Sequence, residues 1–176
     1  VGGGAVKGEL IKAVQTGGPS GGCLPVSKFE LPVDFDLLSE AGSMVGSGGM
    51  VVMDEGTCMV DVAKYFLTFL QDESCGKCFP CRMGIDRMLE IVTDITDGRG
   101  KPEQLNLLEE LADTVSQTAL CGLGKMAPNP VLSTLRYFYP EYDAHIKERN
   151  CPAGVCKAMI TSSIDTAKCK GCRVCL

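Results

Sequence analysis

Two rhythms of apolar and polar positions divide this chain. Up to Gly56 the apolar residues come in short runs bounded by glycine clusters, at residues 12–15 and 50–53, and such runs predict strands. Beyond Gly56 the spacing lengthens to the helical repeat of about 3.6 residues. Val60, Ala63, Phe66, Leu67 and Leu70 share one face of a first helix. A second opens near Pro80, where proline suits the first turn, carries Ile85, Met88, Leu89, Val92 and Ile95, and ends at Gly98. Pro102 opens a third with Leu105, Leu108, Leu111, Ala112 and Val115, stopped by Gly122. A fourth starts with Asn129 as N-cap and Pro130 in the first turn, runs through Leu132, Leu135 and Phe138, bends at Pro140 and ends near Glu148.

Four amphipathic helices with short links predict an antiparallel four-helix bundle. In that arrangement the one-to-two and three-to-four links share the top, while the start of the first helix and the end of the fourth share the bottom. Glycine sharpens the division, since 13 of its 21 residues precede residue 57. The expected class is α+β: a turn-rich β segment at 1–56, a helical domain at 57–150 and a cysteine-rich tail at 151–176. The opening run Val1-Gly2-Gly3-Gly4 reads as the middle of an element, so an N-terminal truncation is expected.

Charge and cysteine content narrow the function. Seventeen basic against 22 acidic residues give a net charge of −5, which argues against a nucleic-acid partner, because phosphate binding needs a clustered basic face. Eleven cysteines are too sparse for a secreted disulfide scaffold of this length, and an odd number cannot pair completely. Thiolates holding metal in a reducing compartment is the simpler reading. The sequence shows neither a secretory leader nor an apolar run long enough to span a membrane, so a soluble cytoplasmic protein is expected.

The cysteines sort by the bundle's two ends. Cys75, Cys78 and Cys81 are spaced by two residues in the first link, and Cys121 closes helix three at the same end. Three closely spaced thiolates and one distant one suit a 4Fe-4S cluster, whereas structural zinc more often takes two separated pairs. Lys77, Arg82 and the start of helix two would favour the charge of a reduced cluster, although both side chains also read as ordinary solvated charges. Phe79 and Pro80 are expected to shield the cluster from water. Cys169, Cys172 and Cys175 repeat the spacing as the first three-quarters of a bacterial ferredoxin run, a second 4Fe-4S site left incomplete. Cys58, Cys151 and Cys156 with the sole histidine, His145, offer a closed tetrahedral set for zinc; buried apolar thiols beside an ordinary histidine are the alternative. Cys23 reads as a buried thiol.

Several motifs are lacking. Gly46, Gly48 and Gly49 do not make a dinucleotide fingerprint, because the third glycine would fall at Val51. There is no Walker loop and no nucleophile elbow, and the glycine-rich stretch 17–22 reads as a tight turn rather than an anion cradle. Adjacent Asp54 and Glu55 read as a solvated turn. No acid–base pair emerges, which leaves electron passage as the chemistry.

The stretch at residues 17–23, Gly46-Ser47-Gly48-Gly49 leading to Met53-Asp54-Glu55, the motif Glu73-Ser74-Cys75-Gly76-Lys77-Cys78-Phe79-Pro80-Cys81-Arg82, and Cys121 at the expected separation together resemble a known family. It is that of the NADH-binding flavoprotein subunit of respiratory complex I, and more closely its relatives in soluble NAD(P)-linked, including electron-bifurcating, iron-only hydrogenases. The resemblance implies that residues 1–56 are part of a ubiquitin-like β-grasp domain and that residues 57–150 carry the cluster that takes electrons from flavin. It implies FMN and NAD(P) only on a preceding Rossmann-like domain that this sequence does not contain, so no flavin or nicotinamide residue carries over. The tail from Cys151 is similar to the start of the hydrogenase type's ferredoxin-like extension. Implied partners are other iron–sulfur subunits, such as a thioredoxin-like 2Fe-2S subunit and a hydrogenase or other catalytic subunit. The alternative from another class is a metal-stabilised docking module without redox activity.

Overall fold

The structure, a computed structural model, describes residues 4, 10–160, 164 and 167–172. Strand β1 (Ile11–Thr16) is followed by β2 (Cys23–Pro25), a short helix α1 (Phe35–Glu40) and β3 (Met50–Asp54). The three strands form one antiparallel sheet with β1 in the centre, Gln15 facing Cys23 on one side and Val51 on the other. The turn between β1 and β2 needs its glycines. Gly17 and Gly18 have φ of +85° and +75°, and a Cβ on Gly22 would lie 2.0 Å from the Gly42 carbonyl oxygen. The stretch is a tight turn, as its sequence suggests.

Five more helices follow: α2 (Met59–Glu73), α3 (Phe79–Thr96), α4 (Glu103–Thr118), α5 (Gly122–Met126) and α6 (Asn129–Asp143), the last continued by a π-helical turn at Ala144–Glu148. The four long ones pack pairwise, α2 on α3, α3 on α4, α4 on α6 and α6 on α2. Their apolar stripes meet in a core that includes Leu67, Ile85, Met88, Val92, Leu108 and Ala112. A second seam joins sheet to helices through Ala13, Cys23, Met53, Met59 and Phe138, and there the Cys23 N–H donates to Ser133 Oγ at 2.9 Å.

Helices α3 and α4 approach closely because Gly84 carries no side chain: a Cβ there would lie 2.1 Å from Val115 Cγ2. Gly84→Ala is expected to lower stability by about 1–3 kcal/mol, the usual cost of overpacking, readable as a shifted urea midpoint at unchanged slope.

The structure departs from the sequence reading at three short elements, β2, α1 and α5. Helix α4 ends at Thr118, so Cys121 does not close it; it is instead the N-cap of α5. Asn129 is a helical residue rather than the N-cap of α6, and its side chain donates to the Ser20 carbonyl at 3.0 Å. The bend expected at Pro140 falls at Phe138, whose φ of −127° is non-helical. Proline lacks the N–H that the helix interior needs and crowds the preceding turn, which accounts for the distortion upstream of it.

Candidate iron–sulfur and metal sites

At one end, α2 runs out at Glu73 and the chain turns through Cys75 and Gly76, whose φ of +69° only glycine adopts freely. Cys78 is the N-cap of α3, Phe79 and Pro80 begin the helix, and Cys81 lies in its first turn. The Arg82 guanidinium closes the loop by donating to the Gly76 carbonyl at 2.5 Å. From the other side, the loop between α4 and α5 brings Leu120 and Cys121. The Leu120 N–H, followed by that of Cys81, hydrogen-bonds the Cys78 sulfur and holds this thiol below its ordinary range. Cys81 is only 4% exposed, and burial pushes its thiol up, with Cys78 and Cys121 close enough for their charges to add to the effect. Ser74 Oγ lies 3.4 Å from Cys81 Sγ.

The structure thus brings Cys78, Cys81 and Cys121 near one another, with Cys75 in the turn three residues before Cys78, and all four are free thiols. Gly124 lets α5 pack closely here, since a Cβ on it would lie 2.6 Å from Ala119 Cβ and 3.3 Å from Cys81 Sγ. The donor set, three thiols spaced by two residues and one from a distant loop, suits an iron–sulfur cluster. One expectation fails: Phe79 is 68% exposed and does not shield the thiols in this chain.

At the opposite end, Cys58, His145, Cys151 and Cys156 are all buried, with one ligand atom from each within 4.8 Å of the others. Cys58 is the N-cap of α2, His145 lies in the π-helical turn after α6, and the remaining two follow in the next loop. The Cys58 and Cys156 sulfurs are 3.8 Å apart, and His145 Nε2 is 3.4 Å from each. Zinc bonds of about 2.3 Å to sulfur and 2.0–2.1 Å to nitrogen give tetrahedral edges of about 3.8 and 3.5 Å, so one zinc ion fits this donor set. His145 Nδ1 donates to the Glu141 carbonyl at 2.7 Å, which orients the ring and leaves Nε2 free to bind metal. Without metal the groups share protons. Cys58 is lowered to about 4 by the hydrogen bond from Cys156, against burial, with His145 and the Asp61 N–H assisting. Cys156 is pushed up correspondingly. Burial opposes the charge on His145, but the Cys58 thiolate and the Glu141 carbonyl outweigh it and raise the imidazole to about 9.

Sequence reasoning missed the two residues that anchor this end. Glu141 accepts from the Met59 N–H at 3.0 Å with one oxygen and pairs with Lys12 Nζ at 2.7 Å with the other. Lys12 also donates to the Thr57 carbonyl at 2.7 Å, tying β1 to the start of α2. Both side chains are 11% exposed. The available signal was position, since Glu141 lies one helical turn before His145. Lys12→Met, which leaves the carboxylate buried without its cation, is expected to cost about 3–5 kcal/mol in chemical denaturation.

Cys169 and Cys172 are exposed, and the Gly171 N–H reaches Cys169 Sγ at 3.4 Å. Cys175 lies outside the described residues. Cys23 is fully buried, and burial pushes its thiol up to about 12. Among the described residues no helix is long and apolar enough to cross a membrane.

Helices and thiols of this kind define a class that comparison with known proteins makes specific. Residues 61–145 match the NADH-ubiquinone oxidoreductase-F iron-sulfur binding region. The chain carries this region, and what it is similar to is the C-terminal part of longer subunits that contain it. It is 52% identical over 175 residues to the NADP-reducing hydrogenase subunit HndC of Solidesulfovibrio fructosivorans, covering 99% of this chain and 36% of that one. It is 42% identical over 150 residues to an NADH-quinone oxidoreductase subunit of Rhizobium meliloti (strain 1021), covering 85% and 36%. The chain therefore spans about a third of the length of these relatives, 36% in both cases. Among solved structures, an air-oxidized NAD+-reducing [NiFe]-hydrogenase superposes with a TM-score of 0.70 at 28% identity, over 78% of this chain and 24% of the other.

Proposed function

We propose that this chain is the electron-relay portion of an NAD(P)H-linked oxidoreductase or hydrogenase subunit, with a 4Fe-4S cluster held by Cys75, Cys78, Cys81 and Cys121. The observation that supports the reading is the approach of Cys121, from a distant loop, to Cys78 and Cys81, within the matched iron–sulfur region. When bound, such a cluster supplies one-electron storage between a flavin and further iron–sulfur centres. The chain's own residues ligate it, hydrogen-bond its sulfurs through the Leu120 N–H and hold Cys81 away from water. FMN and NAD(P) belong to the longer subunit.

On this reading the helical part, 57–150, is an antiparallel four-helix bundle and residues 1–56 are a partial β-grasp segment. The tail, 151–176, begins a ferredoxin-like domain whose Cys169, Cys172 and Cys175 are three ligands of a second cluster. An alignment of 175 residues with a hydrogenase subunit supports including that tail. Cys58, His145, Cys151 and Cys156 hold a structural zinc ion, the protein works in the cytoplasm, and its partners are other iron–sulfur subunits. Freeze-quench EPR of the full subunit mixed anaerobically with NADH or NADPH tests the relay. The cluster signal should rise within a turnover; a flavin that is reduced while the cluster stays oxidised through many turnovers would refute it.

A further inference from the structure

Two buried charges bracket one corner of the Cys58–His145 site. One carboxylate oxygen of Glu141 accepts from the Met59 N–H, and the other pairs with Lys12 Nζ. Lys12 in turn donates to the Thr57 carbonyl. The pair therefore holds the backbone immediately before and immediately after Cys58. The Glu141 carbonyl accepts from His145 Nδ1, so one residue of α6 is bonded to the surroundings of two of the four metal-site residues.

Lys12 reaches this corner through an irregularity in the sheet. Ile11 pairs with Asp54 and Ala13 with Met53, which leaves Lys12 as the extra residue of a β-bulge. In a regular strand Lys12 would point away from the face that Ala13 packs against Met59 and Phe138. A bulge re-aims a side chain, and here it lets Lys12 reach the helical side as Ala13 does. Stability alone does not account for the arrangement, because apolar residues of similar volume commonly replace a buried ion pair without loss.

We infer that Glu141 and Lys12 are positioning residues for the metal site, fixing Cys58 and His145 relative to each other, so that the sheet sets part of the site's affinity for metal. The inference rests on the reading of Cys58, His145, Cys151 and Cys156 as a zinc site. Glu141 is not a ligand itself, since both its oxygens are engaged by Met59 and Lys12. The ion instead meets two donors, from the start of α2 and the turn after α6, already held in place.

Zinc affinity of the full subunit, measured by competition against a chelator with elemental analysis of the protein fraction, tests this. The double variant Lys12→Met, Glu141→Leu replaces the ion pair by apolar groups and should fold, as circular dichroism will show. Its zinc affinity should nevertheless fall by about 10–100-fold. Glu141→Gln should lose less, because the amide oxygen can still accept from the Met59 N–H. Gly84→Ala, which strains the α3–α4 contact instead, should keep the wild-type affinity. A folded double variant that binds zinc like the wild type, or a Gly84→Ala variant that loses as much affinity, would overturn the inference. A wild-type subunit that binds no zinc would instead overturn the zinc reading.

Discussion

Cys81→Ala in the full subunit is expected to abolish the iron–sulfur absorption and EPR signal and to stop electron flow to downstream centres. Of the four thiols Cys81 is the most enclosed, with Ser74 Oγ at 3.4 Å and Gly124 packed close against it. Water cannot readily replace it as a ligand there. Altering residues that merely orient a ligand costs about 10–100-fold, so removing the ligand itself should cut NAD(P)H-driven reduction of the natural acceptor by more than about 100-fold. Reduction of a flavin-level dye acceptor should survive, because flavin chemistry belongs to another part of the subunit. The fold should survive as well, since the helical core of Leu67, Ile85, Met88 and Leu108 lies away from the loop. Circular dichroism separates loss of the cluster from loss of the fold.

The second large effect concerns the opposite end. His145→Ala removes the only nitrogen donor from a set otherwise made of sulfur, and bound zinc should fall from one equivalent to a small fraction by elemental analysis. Structural zinc contributes about 10–16 kcal/mol of apparent binding energy in small domains at neutral pH. A loss of even about 3 kcal/mol to folding would lower Tm by about 6–12 °C in a chain of this size. The sign of the pH dependence follows from the metal-free site. His145 is raised to about 9 and Cys156 is pushed up, so both hold protons at pH 7. Zinc must displace those protons, so its affinity should rise with pH and binding should release protons, measurable by calorimetry in buffers of different ionisation enthalpy. No zinc in the wild type, or unchanged zinc in His145→Ala, would remove His145 as a ligand.

How far the sequence could be read depended on the length of each element. Helices α2, α3 and α4 bury repeated apolar residues at helical spacing; α3 was visible to within two residues of its ends, whereas α4 stops at Thr118, three residues short of the Cys121 expected to close it. Helix α1 has only six residues, exposes Phe35 and Leu37 and buries only Leu38, so no period could form. Strand β2 is three residues whose place is set by the glycine turn and by pairing with β1, contacts that sequence spacing does not display. In α5, two glycines in five residues conceal a helix that exists because Gly124 must approach Cys81.

The candidate sites were legible to a similar degree. The up-and-down order of the helices placed Cys121 with the first three cysteines and Cys58 with His145, because topology alone decides which loops share an end. The network that positions His145 was not legible. Glu141 acts through a backbone carbonyl and a buried pair with Lys12, which is 129 residues away in sequence.

The most direct test of the central claim is iron and acid-labile sulfide content together with EPR of the anaerobically purified, dithionite-reduced protein. The account predicts about four iron and four sulfide per chain in one cubane signal that depends on Cys75, Cys78, Cys81 and Cys121. Stoichiometric zinc with no iron and no cubane signal would contradict it.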